Sequence, residues 1–155
     1  MSDPRNIARR LEQTQVVERP GGVTGHDIFY EASTYTPTYT GATTAGVTTY
    51  SVQAGFWVRL GKVAIVTGTI TWTAATGTGD VNVSLPFTAE NVANQNFSLS
   101  LRNTGVTFAA GTPQGQILPN TAFFTLQSPV TNGASTPVAI EAAGTIIFTA
   151  TYFIV

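Results

Sequence analysis

From Val63 to Ala74 the chain alternates with a period of two. Residues two apart share one face of a β-strand, so Val66, Ile70 and Trp72 fall on one side and Thr67, Thr69, Thr71 and Thr73 on the other. A helix, repeating every 3.6 residues, would scatter both sets around its axis. At roughly 3.3 Å per residue the segment is long for one strand, and Gly68 is the expected place for a bulge or bend. The closing residues repeat the pattern. Ile146, Phe148, Ala150, Tyr152 and Ile154 face one way, and Ile147, Thr149, Thr151, Phe153 and Val155 the other. Both sets are apolar or threonine, so this strand is expected to be central and covered on both faces.

Further strand signals lie between these two. Phe56, Val58 and Leu60 alternate against Trp57 and Arg59, and Gly61-Lys62 supplies a turn. Thr76-Gly77-Thr78-Gly79-Asp80 reads as a hairpin turn leading to Val81, Val83 and Leu85, where Pro86 ends the strand. Short strands are expected at 96–102, 105–109, 122–128 and 137–141. Tyr35-Thr36-Pro37-Thr38-Tyr39, with its central proline, reads as an edge strand or extended arm. Many short strands separated by Gly, Pro and Asn imply an all-β antiparallel sandwich or barrel.

Charge is distributed very unevenly. Nine of the fifteen charged side chains lie in residues 1–31, namely Asp3, Arg5, Arg9, Arg10, Glu12, Glu18, Arg19, Asp27 and Glu31. The remainder carries Arg59, Lys62, Asp80, Glu90, Arg102 and Glu141. Dispersed charge normally keeps a free monomer soluble, so the charge-poor body suits a domain that lies against copies of itself or inside a larger assembly. The expected division is a docking helix and arm over 1–31 and a β-sandwich over 32–155. In the first part Asp3 is a good helix N-cap and Pro4 fits the first helical position. Ile7, Ala8 and Leu11 then share one face, and Pro20-Gly21-Gly22 ends the helix. About a dozen residues is marginal for a helix in water. Docking is therefore the expected role, with Ile7 and Leu11 entering a groove while Arg5, Arg9 and Arg10 pair with carboxylates of a partner.

The net charge of −1 gives no field that would steer the chain to nucleic acid. No apolar run is long enough for a membrane-spanning helix, and residues 1–20 lack the apolar core of a secretion signal. Without cysteine, disulfide and thiolate chemistry are excluded. Catalysis would have to use the single histidine, His26, in the Gly25-His26-Asp27 loop, or two of Asp80, Glu90 and Glu141 at a glycosidase spacing. His26, Asp80 and Glu90 are expected in loops and Glu141 at the end of the 137–141 strand, which favours no catalytic, cofactor or metal site; three copies of His26 converging on a symmetry axis are the one conceivable metal set or pH sensor. Gly55 to Lys62 lacks the spacing and the Ser/Thr of a phosphate loop.

The run Tyr35 to Gly46, then Tyr50 to Gly61, then Thr76-Gly77-Thr78-Gly79, Leu85-Pro86-Phe87 and the closing Thr151 to Ile154 resembles a family of bacteriophage virion proteins. These form surface fibres, spikes and head decorations that end in a compact jelly-roll-like β domain, usually trimeric. The resemblance implies a homotrimer at the surface of the phage particle, held by a capsid or tail structural protein, with no enzymatic activity. The absence of a long stalk favours a short appendage on the capsid. The alternative within the resemblance is a receptor-binding fibre that contacts host surface glycan. Tyr35, Tyr39 and Trp57 are the aromatics expected at a subunit interface or on the surface.

Overall fold

In the computed structural model residues 30–108, 112–130 and 133–155 are described. The expected N-terminal helix, with Arg5, Ile7, Arg9, Arg10 and Leu11, and the His26 loop lie outside them. The described residues form ten strands: β1 (Tyr30–Tyr35), β2 (Tyr39–Gly41), β3 (Thr48–Leu60), β4 (Val63–Ala75), β5 (Val81–Ser84), β6 (Phe97–Thr104), β7 (Gln114–Ile117), β8 (Phe123–Ser128), β9 (Thr136–Pro137) and β10 (Gly144–Phe153). They make one antiparallel sheet in the order β1-β3-β4-β10-β6-β7-β8-β5-β2, with β9 pairing β8. The protein is all-β.

The sheet curls back on itself. β1 and β2 are the two ends of the strand order, yet only Thr36, Pro37 and Thr38 separate them in the chain. The link is fixed from beneath: the Gln53 side-chain amide donates to the Pro37 carbonyl at 2.9 Å. Tyr50 Oη accepts the Tyr39 N–H at 2.7 Å and donates to the Tyr39 carbonyl at 3.1 Å. Curling brings the concave faces of the two halves together. Val66, Ile70 and Trp72 of β4 and Ile146, Phe148, Ala150 and Tyr152 of β10 meet Val81 and Val83 of β5, Ile117 of β7 and Phe124 and Leu126 of β8, all buried. The Phe124 and Phe148 rings close this core edge to face, with centroids 4.8 Å apart.

Several expectations are corrected. The Thr76–Asp80 turn does not join a hairpin, because β4 pairs with β3 and β10 whereas β5 pairs with β2 and β8. The turn is a crossover between the two halves, held by Thr78 against Thr43 and Thr44 through backbone hydrogen bonds. Gly68 is not a bulge; it pairs regularly with Gly55 and Phe148, and the register shifts instead near Tyr50. β10 is central, but its Ile147 and Phe153 face remains 42% and 47% exposed. Gly105–Phe108 lies outside every strand, and of 137–141 only Pro137 is in one, with a lone bridge at Ala139. β7 has no counterpart among the expected strands. Glu31, placed with the docking arm by charge, belongs to β1 and lies 3.9 Å from Arg59.

Candidate functional site: an uncharged outer sheet face

The convex face of β1, β3, β4, β10 and β6 is the most unusual surface of the molecule. The pairing registers set it out in rows. Nearest the β3–β4 turn, Tyr30, Leu60, Val63 and Phe153 lie side by side. Next come Ala32, Val58, Ile65 and Thr151, then Thr34, Phe56, Thr67, Thr149 and Ser100. Beyond these are Ala54, Thr69, Ile147 and Arg102, and finally Val52, Thr71, Thr145 and Thr104. Arg102 is the one charged residue in this array.

The face is wide and greasy for a solvated surface. Tyr30 is 64% exposed, and Phe56, Leu60, Ile65 and Ile147 are all exposed. In its middle, Gly55 sits directly opposite Gly68, and the two bare backbones floor a shallow hollow walled by Thr34, Phe56, Thr67, Ile147 and Thr149. Both glycines are required from the concave side: a Cβ on Gly68 would strike the Phe148 ring, and one on Gly55 the Tyr35 ring. The hollow is thus the outer imprint of close packing within. Exposed apolar surface of this extent is uncommon on a solvent-facing sheet.

The aromatics singled out in the sequence lie elsewhere. Tyr39 is fully buried, stacked on Trp72 with ring centroids 4.0 Å apart, and burial pushes its hydroxyl pKa up to about 12. Trp57 faces the concave side and meets the Phe87 ring edge to face at 4.7 Å. Tyr35 is half-buried, and its hydroxyl is enclosed without a hydrogen-bond partner. All three serve the interior of the single subunit, and the aromatics on the outer face are Tyr30, Phe56 and Phe153. Phe56, Val58 and Leu60 do alternate against Trp57 and Arg59, and the Phe56, Val58 and Leu60 set is the one that faces out. The register decides this, pairing Trp57 with Val66 and Phe56 with Thr67.

Glu90 and Glu141 lie at opposite ends of β10. Glu90 pairs with Lys62 at 3.2 Å, and its N–H donates to the Phe153 carbonyl at one end of β10. Glu141 lies just before the other end of that strand, where its carboxylate accepts the Thr107 N–H at 3.3 Å. Ten residues of strand separate the two ends by roughly 30 Å, beyond the reach of a carboxylate pair. Asp80 lies in the crossover, paired with Ala139. No cluster of three or more His, Cys, Asp or Glu side chains occurs among the described residues. Among protein-family models, curated proteins and solved structures, nothing matches this chain.

Proposed function

We propose that this chain is a structural subunit of a bacteriophage particle, a short surface fibre or decoration built from a homotrimer of jelly-roll-like domains and anchored by residues 1–31, most readily to the capsid. The observation that carries the reading is the outer sheet face. A face with one charge and a run of exposed Phe, Leu, Ile and Tyr is costly to hydrate and gains when covered. The charge that would dock the subunit to a larger body is concentrated at the start of the chain. The motif order set out above supplies the virion context.

Two measurements test the reading. Gel filtration with light scattering on the full chain should give a multiple of 16.3 kDa, with three copies expected; a stable monomer would overturn it. A chain lacking residues 1–29 keeps all ten strands of the described residues and should remain folded and associated, yet should no longer bind phage particles stripped of the protein. Undiminished particle binding by the shortened chain would refute the anchoring role.

A further inference from the structure

The outer face is not uniform along its strands, and its gradient specifies how copies must meet. At the end nearest the β3–β4 turn the rows are mostly apolar: Tyr30, Leu60, Val63 and Phe153, then Ala32, Val58 and Ile65 with Thr151. At the far end Thr69, Thr71, Thr145 and Thr104 set hydroxyls among Val52, Ala54 and Ile147, and Arg102 stands on the β6 flank. Thr71 and Thr145 already pair their hydroxyls across the strands at 3.1 Å.

Resting on the self-association proposed above, we propose that the occupant of this face is further copies of the same chain, packed parallel about an axis that runs along the strands. In that arrangement each row meets its own kind at the same height. Leu60 and Phe153 of one copy face the same apolar row of the next, and the threonine end faces threonines. An antiparallel pair would instead lay the row of Leu60 and Phe153 on the row of Val52, Thr71, Thr145 and Thr104, and would bring the row of Arg102 over that of Val58 and Ile65. That places hydroxyls and a guanidinium against apolar surface without matching acceptors, which is the costly arrangement. A face that carries no carboxylate has no means of compensating Arg102.

Size is adequate. Five strands spaced by about 4.8 Å and some nine residues of length give a footprint on the order of 500 Å² per copy. Two such faces wholly apposed in a pair bury on the order of 1,000 Å², where specific association begins; in a ring of three each face is divided between two neighbours, and the three faces together bury on the order of 1,500 Å². Parallel packing closes by rotation into a ring. It also puts every Tyr30, where the described chain begins, at one end of the assembly, as a shared anchor on one particle requires.

The chain has no cysteine, so single cysteines report orientation cleanly. The full chain is made as Leu60→Cys and, separately, as Thr71→Cys, and each is treated with a short bis-maleimide, alone and after the two are co-expressed with different tags. Parallel packing predicts that Leu60→Cys links to itself and Thr71→Cys to itself, each at least roughly tenfold more than the two link to one another. Preferential Leu60→Cys to Thr71→Cys products would overturn the parallel arrangement while leaving self-association intact. Chains that stay unlinked and run as monomers would remove self-association and the arrangement with it. Ile65→Cys and Thr145→Cys form a second pair with the same expected pattern, should either first variant fail to fold.

Discussion

Tyr39 lies flat on Trp72, with ring centroids 4.0 Å apart and planes inclined by 22°. Tyr39 belongs to one end of the strand order and Trp72 to a strand near the other, so the stack pins the curl of the sheet. Its polar rims are also joined through one residue. Trp72 Nε1 donates to the Glu141 carbonyl at 2.9 Å, and the Glu141 N–H donates to Tyr39 Oη at 2.8 Å. Tyr39→Phe should keep the stack but leave the Glu141 N–H without its acceptor, costing about 1–3 kcal/mol. Trp72→Ala removes the stack itself and should cost about 3–5 kcal/mol. Urea unfolding checks both: the midpoint should fall in that order, with the slope unchanged for Tyr39→Phe.

Gly68→Ala isolates a steric effect. Gly68 does not have positive φ, so alanine suffers no backbone strain there. The added methyl would lie 2.5 Å from Phe148 Cζ, and the ring, buried against Phe124, has little room to retreat. A loss of about 1–3 kcal/mol is expected. Phe148→Leu in the same chain should return part of it, so that the double variant is more stable than the sum of the two single losses. Additive losses would show that the ring and the glycine are not coupled.

How far the fold could be read from the sequence follows from which interactions are local. The concave sets of β4 and β10 were legible, since strict alternation assigns Val66, Ile70 and Trp72, and Ile146 to Ile154, to a common face whatever the partner strand. Strand pairing was not legible. The Thr76–Asp80 turn has the chemistry of a hairpin, but whether β5 pairs with β4 depends on contacts with β2 and β8 that are remote in sequence. β3 shows the same limit at the level of faces. Both of its faces are apolar, and only its register against β4 turns Trp57 inward and Phe56 outward. Tyr39 sits two residues after Pro37 and looked like part of an arm; its burial follows from the short link that closes the curl. The low charge of the body does not say which face is apolar; the strand register alone assigns the exposed apolar residues to the convex side.

The Lys62–Glu90 contact joins the β3–β4 turn to the loop after β5 at 3.2 Å, and Lys62 is largely exposed. Exposed pairs are screened and must order long side chains. Lys62→Ala should therefore change stability by less than about 1 kcal/mol, and its effect should vanish in 1 M salt. The backbone carbonyl of Lys62, which accepts the Ile154 N–H at 2.9 Å, is untouched by this change. A larger loss in thermal unfolding would assign the pair a structural role that its exposure does not suggest.

Alkaline pH should unfold the domain through its buried phenols. Burial raises the Tyr39 pKa from 10.0 to about 12 and pushes those of Tyr35 and Tyr152 higher still, with Tyr152 adding a repulsion at Tyr35. The unfolded chain releases these protons from about pH 10. The folded chain holds them, so above that pH the unfolded state binds fewer protons and stability falls as pH rises. Each phenol that stays neutral when folded contributes a slope of up to about 1.4 kcal/mol per pH unit. Below pH 9 the contribution is constant. Tyr35→Phe tests one share of the slope. Its hydroxyl is enclosed without a partner, so removing it should raise stability at pH 7 by about 1 kcal/mol and also flatten the decline between pH 10 and pH 12. Urea midpoints at half-unit pH steps give both quantities. A Tyr35→Phe variant that is less stable at pH 7, with an unaltered alkaline slope, would mean that the hydroxyl is hydrogen-bonded and not enclosed as described.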